Sequence, residues 1–254
     1  MIEHYKSYRE EMSKLVEMLP SAGYVDVSLP NPLPIEFMNY SSFLNEQTRE
    51  LANSLNSFRI SIMSVCAWNS VMQNLDDKSK VTLLLETVGN TASVVLNFPY
   101  AFKSRLIFST AHLSHQANMV IDSSWVDNLP SDNELQLINA EECSKNWKKF
   151  KKLKLSMEKI SNKDYKVKSF NFRDLYTHRI QPTIEVGKWG FVERGVEKSG
   201  TTYTYSDRDP IPLSLICSLG KEQYEVSIKS YKAYLDLIDE QCKKISDYID
   251  EKKI

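Results

Sequence analysis

The residues best suited to chemistry lie in the segment Asn171–Arg179, where Arg173 is followed directly by Asp174 and, five positions later, by His178. An arginine keeps its positive charge at any relevant pH, whereas a histidine exchanges a proton near neutrality. A fixed cation beside a proton-transfer group is what cleavage of an RNA phosphodiester without a metal ion requires. The arginine would hold the phosphate, and the histidine would move protons at the 2'-hydroxyl or at the leaving oxygen.

A short helix is expected to carry these residues. Asn171 is a favourable N-cap, and Asp174 three residues later completes a predicted capping box. The helix should then run from Phe172 to about Gln181, where Pro182 stops it. This places the arginine in the first turn, where the backbone N–H groups and the helix dipole favour an anion.

The helical spacing decides which of the side chains can act together. Asp174 and His178 are four residues apart and share a face, so the carboxylate could orient the imidazole and favour its charged form. Arg173 and His178 are five residues apart, which is roughly 140° around a regular helix. Both reach one phosphate only if the first turn is distorted, or if two chains share the site across a two-fold axis.

The segment resembles the Arg-x4–6-His motif of the HEPN superfamily (higher eukaryotes and prokaryotes nucleotide-binding), in which a polar residue follows the arginine; here that residue is Asp174. Many members are ribonucleases of toxin–antitoxin, phage-defence and RNA-processing systems. The resemblance implies Arg173 and His178 as site residues, with Asp174 in support, in a four-helix core. It also implies a homodimer with a composite cleft. Cleavage would need no metal ion or cofactor, and would leave a 2',3'-cyclic phosphate and a 5'-hydroxyl.

The same segment also fits an ordinary amphipathic helix. In that interpretation Phe172, Leu175, Tyr176 and Ile180 face a core, and the Asp174–His178 pair is exposed to solvent. A non-catalytic helical module that binds RNA, a nucleotide or a partner protein such as an antitoxin is therefore the second functional hypothesis.

A run of lysines is the strongest local charge signal and predicts an RNA-binding face. Lys148, Lys149, Lys151 and Lys152 surround an apolar stripe that includes Trp147. Such side chains contact phosphates without reading bases, and Arg179 beside the motif is a further candidate contact. The alternative is a solvated helix face, which is what charge runs on helices usually form.

Two other groups of residues are candidate sites. His112 and His115 have a spacing that could bind a metal ion, but no carboxylate lies within a helical turn of them, which argues against a metal-dependent enzyme. Tyr203 and Tyr205 lie on one face of a predicted hairpin, where exposed tyrosines could stack on unpaired bases. Their alternative role is packing of the hairpin against the helices.

The composition describes an ordinary globular chain. It has 254 residues, 42% of them hydrophobic, and a net charge of −1, so any contact to RNA must come from a local patch. The four cysteines are scattered, which suits reduced thiols in a cytoplasm. The polar N-terminus is unlike a signal peptide, and no apolar run approaches the length of a membrane span.

We expect a single all-α domain over residues 1–254, built as an antiparallel helical bundle with one small β-hairpin near residues 190–206. Residues 20–37 contain four prolines and form an extended connection, and residues 187–212 form an insertion that holds the hairpin. Residues 161–169 are either a helix restart or an extended connection. The predicted helices cover residues 2–18, 41–75, 78–96, 101–121, 139–160, 172–181 and 222–251. Pro99 is expected to separate the third helix from the fourth, and Asn139 and Glu142 form a predicted capping box at the start of the fifth.

Overall fold

The computed structural model is all-α apart from one two-stranded antiparallel sheet, as the sequence predicts. It describes residues 2–25, 29–190, 192–197 and 200–252. The elements follow in the order α1 (Ile2–Lys14), α2 (Met38–Met72), α3 (Asp77–Leu83), α4 (Gly89–Ile121), α5 (Leu137–Ser144), α6 (Phe150–Met157), α7 (Lys163–Lys168), α8 (Phe172–His178), β1 (Val192–Glu197), β2 (Gly200–Tyr205) and α9 (Leu213–Lys252). A π-helical segment, Leu84–Val88, joins α3 to α4.

The chain packs as two compact units. The first comprises Met1–Pro20, Phe58–Phe98 and Ser161–Gln223, and the second comprises Ser21–Ser57, Pro99–Ile160 and Tyr224–Ile254. Helices α2, α4 and α9 each contribute one part of their length to each unit. The single domain expected over residues 1–254 stays a prediction.

The first unit has a tightly packed aromatic and aliphatic core. The rings of Phe58 and Phe98 stack with their centroids 4.1 Å apart. A Cβ added at Gly220 of α9 would lie 2.9 Å from Val95 Cγ1 and 3.0 Å from Ile62 Cγ1, so any larger residue would force these side chains to shift. The phenol of Tyr165 in α7 donates a hydrogen bond of 2.8 Å to the Leu96 carbonyl, which fixes the helix before α8.

The second unit contains a buried hydrogen-bond network. Gln241 is fully buried; its Oε1 accepts from the Tyr40 hydroxyl at 2.9 Å, and its Nε2 donates to Ser114 Oγ at 2.9 Å. The Ser144 hydroxyl in turn donates to Ser114 at 2.8 Å. Because buried polar groups are costly when unpaired, this network favours one arrangement of α2, α4, α5 and α9.

The expected helix break at Pro99 is wrong, because the proline lies inside the 33-residue helix α4. A proline in a helix interior loses one backbone hydrogen bond and costs about 3 kcal/mol. Fully buried side chains flank it, Leu96 on one side and Phe102 and Leu106 on the other, and their packing offsets that loss. The helices predicted over 78–96 and 101–121 are therefore parts of one longer helical stretch.

The helix predicted over residues 139–160 is also wrong in its continuity. It begins earlier, at Leu137. The N–H of Gln136 donates to Asn139 Oδ1 at 2.9 Å, so Asn139 is the third residue of a capping box with Gln136 and not the N-cap residue paired with Glu142. The chain then leaves the helical path between α5 and α6. There the Glu240 carboxylate accepts backbone N–H groups from Lys148 at 2.9 Å and Lys149 at 2.8 Å, satisfying donors that a continuous helix would have used internally.

The remaining elements differ in smaller ways. Residues 161–169 restart a helix, α7, whose N-cap Asn162 accepts from the Tyr165 N–H at 2.9 Å. The last helix begins at Leu213, nine residues before its predicted start at residue 222. Helix α1 ends at Lys14, four residues before its predicted end at residue 18. The connection over residues 20–37 is irregular in its described parts, with a bend at residues 31–32, and ends in a 3-10 turn; residues 26–28 lie outside the described parts.

One stretch, Asp77–Ile121, is long and apolar enough by length and composition to cross a membrane, with a mean hydropathy of 1.3 over 18 residues. The core helix of a soluble protein satisfies the same criterion, and this stretch supplies buried residues such as Val88 and Leu113. The expectations of a cytoplasmic protein and of no membrane contact therefore stay predictions.

Candidate functional site

Helix α8 carries the motif. It begins at Phe172, as predicted, but without the predicted side-chain cap. Asn171 has a left-handed backbone, with φ 54° and ψ 37°, and its side chain makes no capping hydrogen bond. Phe170 is also left-handed, with φ 54°, and the N–H of Asn171 donates to the Lys166 carbonyl at 2.7 Å. These residues close the C-terminus of α7, a role that asparagine fills well. The predicted capping box between Asn171 and Asp174 is therefore wrong.

The end of α8 is also earlier than predicted. The helix has seven residues and ends at His178, and Arg179 is extended with φ −144° and ψ −143°. Beyond it, the backbone of Thr183 accepts a 2.9 Å hydrogen bond from the N–H of Ile211. This pairing and Pro182 require an extended chain, so a helix to Gln181 cannot form.

The motif side chains are exposed to solvent, while α8 buries one side chain fully. Phe172 is fully buried, whereas Arg173, Asp174, His178 and Arg179 are all exposed. The core-facing interpretation of this helix is thus correct for Phe172 and wrong for two other apolar residues: Tyr176 is 48% exposed and Ile180 is 80% exposed.

Asp174 and His178 lie one turn apart on α8 but are not paired with each other. Among the residues that the structure describes, no hydrogen bond or ion pair joins them. The first turn is regular, since the N–H groups of Asp174 and Leu175 both bond to the carbonyl of Asn171, at 3.1 and 3.2 Å. A distorted first turn therefore does not bring Arg173 and His178 together, and a site shared between two chains stays a prediction.

A groove of about 440 Å³ lies beside α8 in the first unit. Its lining includes Gln181, Tyr176 of α8, Leu84 and Leu85 of the π-helical segment, and Gly89 at the start of α4. Its lining also includes Thr183, whose buried hydroxyl has no hydrogen-bond partner among the described residues. None of the predicted catalytic residues lines this groove.

The predicted RNA-binding lysines lie in the second unit, on and just before α6. Three of them, Lys148, Lys151 and Lys152, line a shallow groove of about 500 Å³ together with Leu155 and Lys159. Lys149 is exposed but outside this lining. The ammonium of Lys152 is paired with the carboxylate of Asp236 at 2.7 Å, which reduces its availability to a phosphate.

The two histidines of α4 are paired with carboxylates that the helical spacing could not reveal. His112 Nε2 lies 3.0 Å from Asp132, and His115 Nε2 lies 3.2 Å from Asp127. Both aspartates come from the loop after α4. Among the described residues, no group of three or more histidine, cysteine, aspartate or glutamate side chains is placed to hold a metal ion.

The pairing of His115 defines its protonation state. Trp125 Nε1 donates to His115 Nδ1 at 3.1 Å, so that nitrogen accepts and the ring is neutral, with its Nε2–H directed to Asp127. Burial lowers the pKa of His115, an effect that Asp127 opposes and His112 reinforces.

Acidification should therefore destabilise the fold through His115. The unfolded chain binds this proton at a higher pH than the folded chain, so the free energy of unfolding falls as the pH drops below about 6.5. His115→Gln offers the same acceptor and donor without titrating, and its unfolding midpoint should change less between pH 7.5 and 5.5 than that of the wild type. Equal changes in thermal unfolding scans of the two proteins would contradict this account.

The hairpin forms as predicted, with β1 and β2 antiparallel and Arg194 opposite Tyr203. Phe191, the predicted first residue of the hairpin, and Ser199 of the predicted turn Ser199–Gly200 lie outside the described residues, whereas Gly200 begins β2. Tyr203 is 63% exposed and Tyr205 is 85% exposed, so their interpretation as residues that pack the hairpin onto helices is wrong.

The fold and the exposed motif thus define an all-α protein with a small hairpin and a charged short helix on its surface. No family model matches the chain, and comparisons with curated proteins and with solved structures find no match. The resemblance to the HEPN superfamily therefore rests on Arg173, Asp174 and His178 themselves.

Proposed function

We propose that the protein is a metal-independent, HEPN-like RNA endonuclease whose active site is completed by a second copy of the chain. The observation that carries the proposal is the exposure of Arg173, Asp174 and His178 on a short helix whose only fully buried side chain is Phe172. Residues that point to solvent from an anchored helix can contact both a substrate and a second chain.

In this proposal Arg173, near the start of α8, and His178, at its end, have separate chemical roles. Arg173 stabilises the charge that develops on the phosphate, because a guanidinium stays protonated and forms paired hydrogen bonds to phosphate oxygens. His178 accepts or donates a proton at the 2'-hydroxyl or the leaving oxygen. Asp174, on the same helix face as His178, orients the imidazole when substrate and partner are bound.

The geometry of α8 supports a two-fold arrangement. Residues five apart on a regular helix diverge by roughly 140°, so one chain offers Arg173 and His178 in different directions. Two copies related by a two-fold axis can place the arginine of one chain opposite the histidine of the other.

Complementation between inactive variants tests the shared site. Arg173→Ala and His178→Ala should each be inactive alone. When they are refolded together, about half of the dimers are mixed and one of their two sites is intact, so roughly a quarter of wild-type activity should return. Mixing either variant with itself is the control. If no activity returns although mixed dimers are shown by native mass spectrometry, each site belongs to one chain and the proposal is wrong.

The lysine groove contributes affinity in this proposal and leaves the chemical step unchanged. Lys148→Glu with Lys151→Glu should weaken RNA binding and reduce the salt dependence of the binding constant, by about one unit of slope for each phosphate that the protein no longer neutralises. Turnover at saturating RNA should be nearly unchanged. The charge-matched control is Lys6→Glu with Lys229→Glu, two exposed positions outside the groove. Equal weakening in both double variants, measured by salt titration, would indicate a general charge effect and no groove.

A non-catalytic binding module is the second candidate, and one observation favours it. Among the described residues no hydrogen bond or ion pair joins Asp174 to His178, so the histidine is not oriented there by the carboxylate as a ready proton-transfer group usually is. RNA binding without any cleavage product in the complementation experiment would support this function.

A further inference from the structure

The hairpin presents two chemically different faces. Residues opposite each other in an antiparallel pair share a face, and residues alternate along each strand. The pairs Val192–Tyr205, Arg194–Tyr203 and Val196–Thr201 therefore lie on one face. We call this the aromatic face; its residues are Val192, Arg194, Val196, Thr201, Tyr203 and Tyr205. The opposite face carries Gly195, Thr202 and Thr204.

The aromatic face is uncovered within the part of the chain that the structure describes. The exposed fractions are 55% for Val192, 71% for Val196, 63% for Tyr203 and 85% for Tyr205. An isolated two-stranded hairpin is at best marginally stable in water, and apolar side chains on its surface add nothing to stability. A face of this composition is better explained by binding than by folding.

The base of the hairpin is firmly held. Trp189 is buried, and its Nε1 donates to the Asp209 carbonyl at 3.0 Å, while the guanidinium of Arg208 lies over its ring at 5.0 Å. The edge of the same tryptophan contacts Phe170, with ring centroids 6.1 Å apart. Phe170 comes two residues before the start of α8. The contact between Phe170 and Trp189 therefore connects the base of the hairpin to the start of the motif helix.

The chemistry of the aromatic face matches unpaired nucleotides. Arg194 lies directly opposite Tyr203, and its guanidinium donates a 3.3 Å hydrogen bond to Thr201 Oγ1, which holds the cation on the hairpin. Tyrosine rings can stack on bases of any sequence, and a guanidinium attracts the phosphate between them. No acidic residue is among the six that form this face, so nothing on it repels a phosphate backbone.

The spacing of the tyrosines selects a single strand. Tyr203 and Tyr205 are two residues apart on one strand, which places their Cα atoms roughly 6.8 Å apart. This is about twice the 3.4 Å rise between stacked bases in a duplex. Each ring can take its own base only if the neighbouring bases are separated, as a single strand allows and a duplex does not.

The size of the face argues against a protein partner as its occupant. A stable protein–protein interface uses about 20–30 residues on each side. The aromatic face has six residues, which is enough for two bases and one phosphate but far below what a stable dimer needs.

We infer that the aromatic face binds single-stranded RNA by stacking two unpaired bases on Tyr203 and Tyr205, with Arg194 on the intervening phosphate. The choice of RNA rests on the proposed function, whereas the stacking itself does not. The face thereby supplies a binding site for the unpaired strand on the same compact unit that carries α8.

A strand that cannot be cleaved tests the stacking separately from catalysis. The probe is a fluorescently labelled oligothymidylate, which lacks the 2'-hydroxyl, measured by anisotropy with the full chain. Tyr203→Ala and Tyr205→Ala should each weaken binding about ten-fold, and Tyr203→Phe should bind like the wild type. Thr202→Ala with Thr204→Ala, on the opposite face, is the matched control and should leave binding unchanged. Circular dichroism checks that the variants keep their helix content.

The outcomes separate this inference from the proposed function. Unchanged affinity in both alanine variants overturns the stacking site, as does equal weakening with an abasic strand of the same length, which has no bases to stack. Absence of any binding by the wild type overturns it as well. Tyrosine-dependent binding together with no RNA cleavage would sustain the stacking site and reject the endonuclease. RNA cleavage together with binding that does not depend on the tyrosines would support the endonuclease and reject the stacking site.

Discussion

Replacing His178 with alanine is expected to lower the rate of RNA cleavage about 10²–10⁴-fold, because the reaction loses one proton-transfer group. The substrate is a single-stranded oligoribonucleotide, and the products should carry a 2',3'-cyclic phosphate and a 5'-hydroxyl. A chelator such as EDTA should not change the rate. The side chain of His178 is exposed at the end of α8, so its loss should leave the free energy of unfolding nearly unchanged.

The matched control for this variant is Thr177→Ala. Thr177 is exposed on the same helix next to the histidine but has no proton-transfer chemistry near neutral pH. Its cleavage rate should stay within about two-fold of the wild type. Full activity in His178→Ala, or loss of activity on addition of EDTA, would rule out the mechanism.

Replacing Phe172 with alanine is expected to destabilise the protein by about 3–5 kcal/mol, since it empties the fully buried position that holds α8. The ring also stacks on Tyr176, with centroids 5.6 Å apart, so its removal frees the neighbouring side chain as well. Urea unfolding followed by circular dichroism measures the change.

Tyr176→Ala provides the comparison for Phe172→Ala. Tyr176 is half-exposed and belongs to the same stacked pair, so its truncation should cost about 1 kcal/mol or less. Similar destabilisation in the two variants would mean that α8 is not anchored by Phe172. The motif helix would then be held by the backbone contacts at its start and by the chain beyond it.

The helical elements could be predicted because apolar residues recur at helical spacing along most of the chain. Pro99 misled that prediction, since the rule for proline considers the backbone alone, whereas the buried side chains of Leu96 and Phe102 keep the helix continuous. The break before α6 had no local signal. It depends on the carboxylate of Glu240, which is 91 residues from Lys149 in sequence.

The candidate site was predictable in its residue types and not in its surroundings. Arg173, Asp174 and His178 follow one another at a recognisable spacing. The start of their helix, however, is determined by the left-handed residues Phe170 and Asn171, which terminate the preceding helix. The partners of His115 were missed for a related reason. Trp125 and Asp127 lie 10 and 12 residues further along, in a loop that folds back on α4, and no periodic pattern connects them to it.

The composition of each compact unit from three separate chain segments has a consequence for the inheritance of this protein. No single contiguous deletion or exchange removes one unit as a whole, because each unit consists of three separate segments and α2, α4 and α9 each belong partly to both. Neither unit can therefore be gained, lost or traded between genes by itself. We expect the exposed hairpin, which is one contiguous segment with a defined base at Trp189, to be the part of the chain that varies most freely in length between lineages.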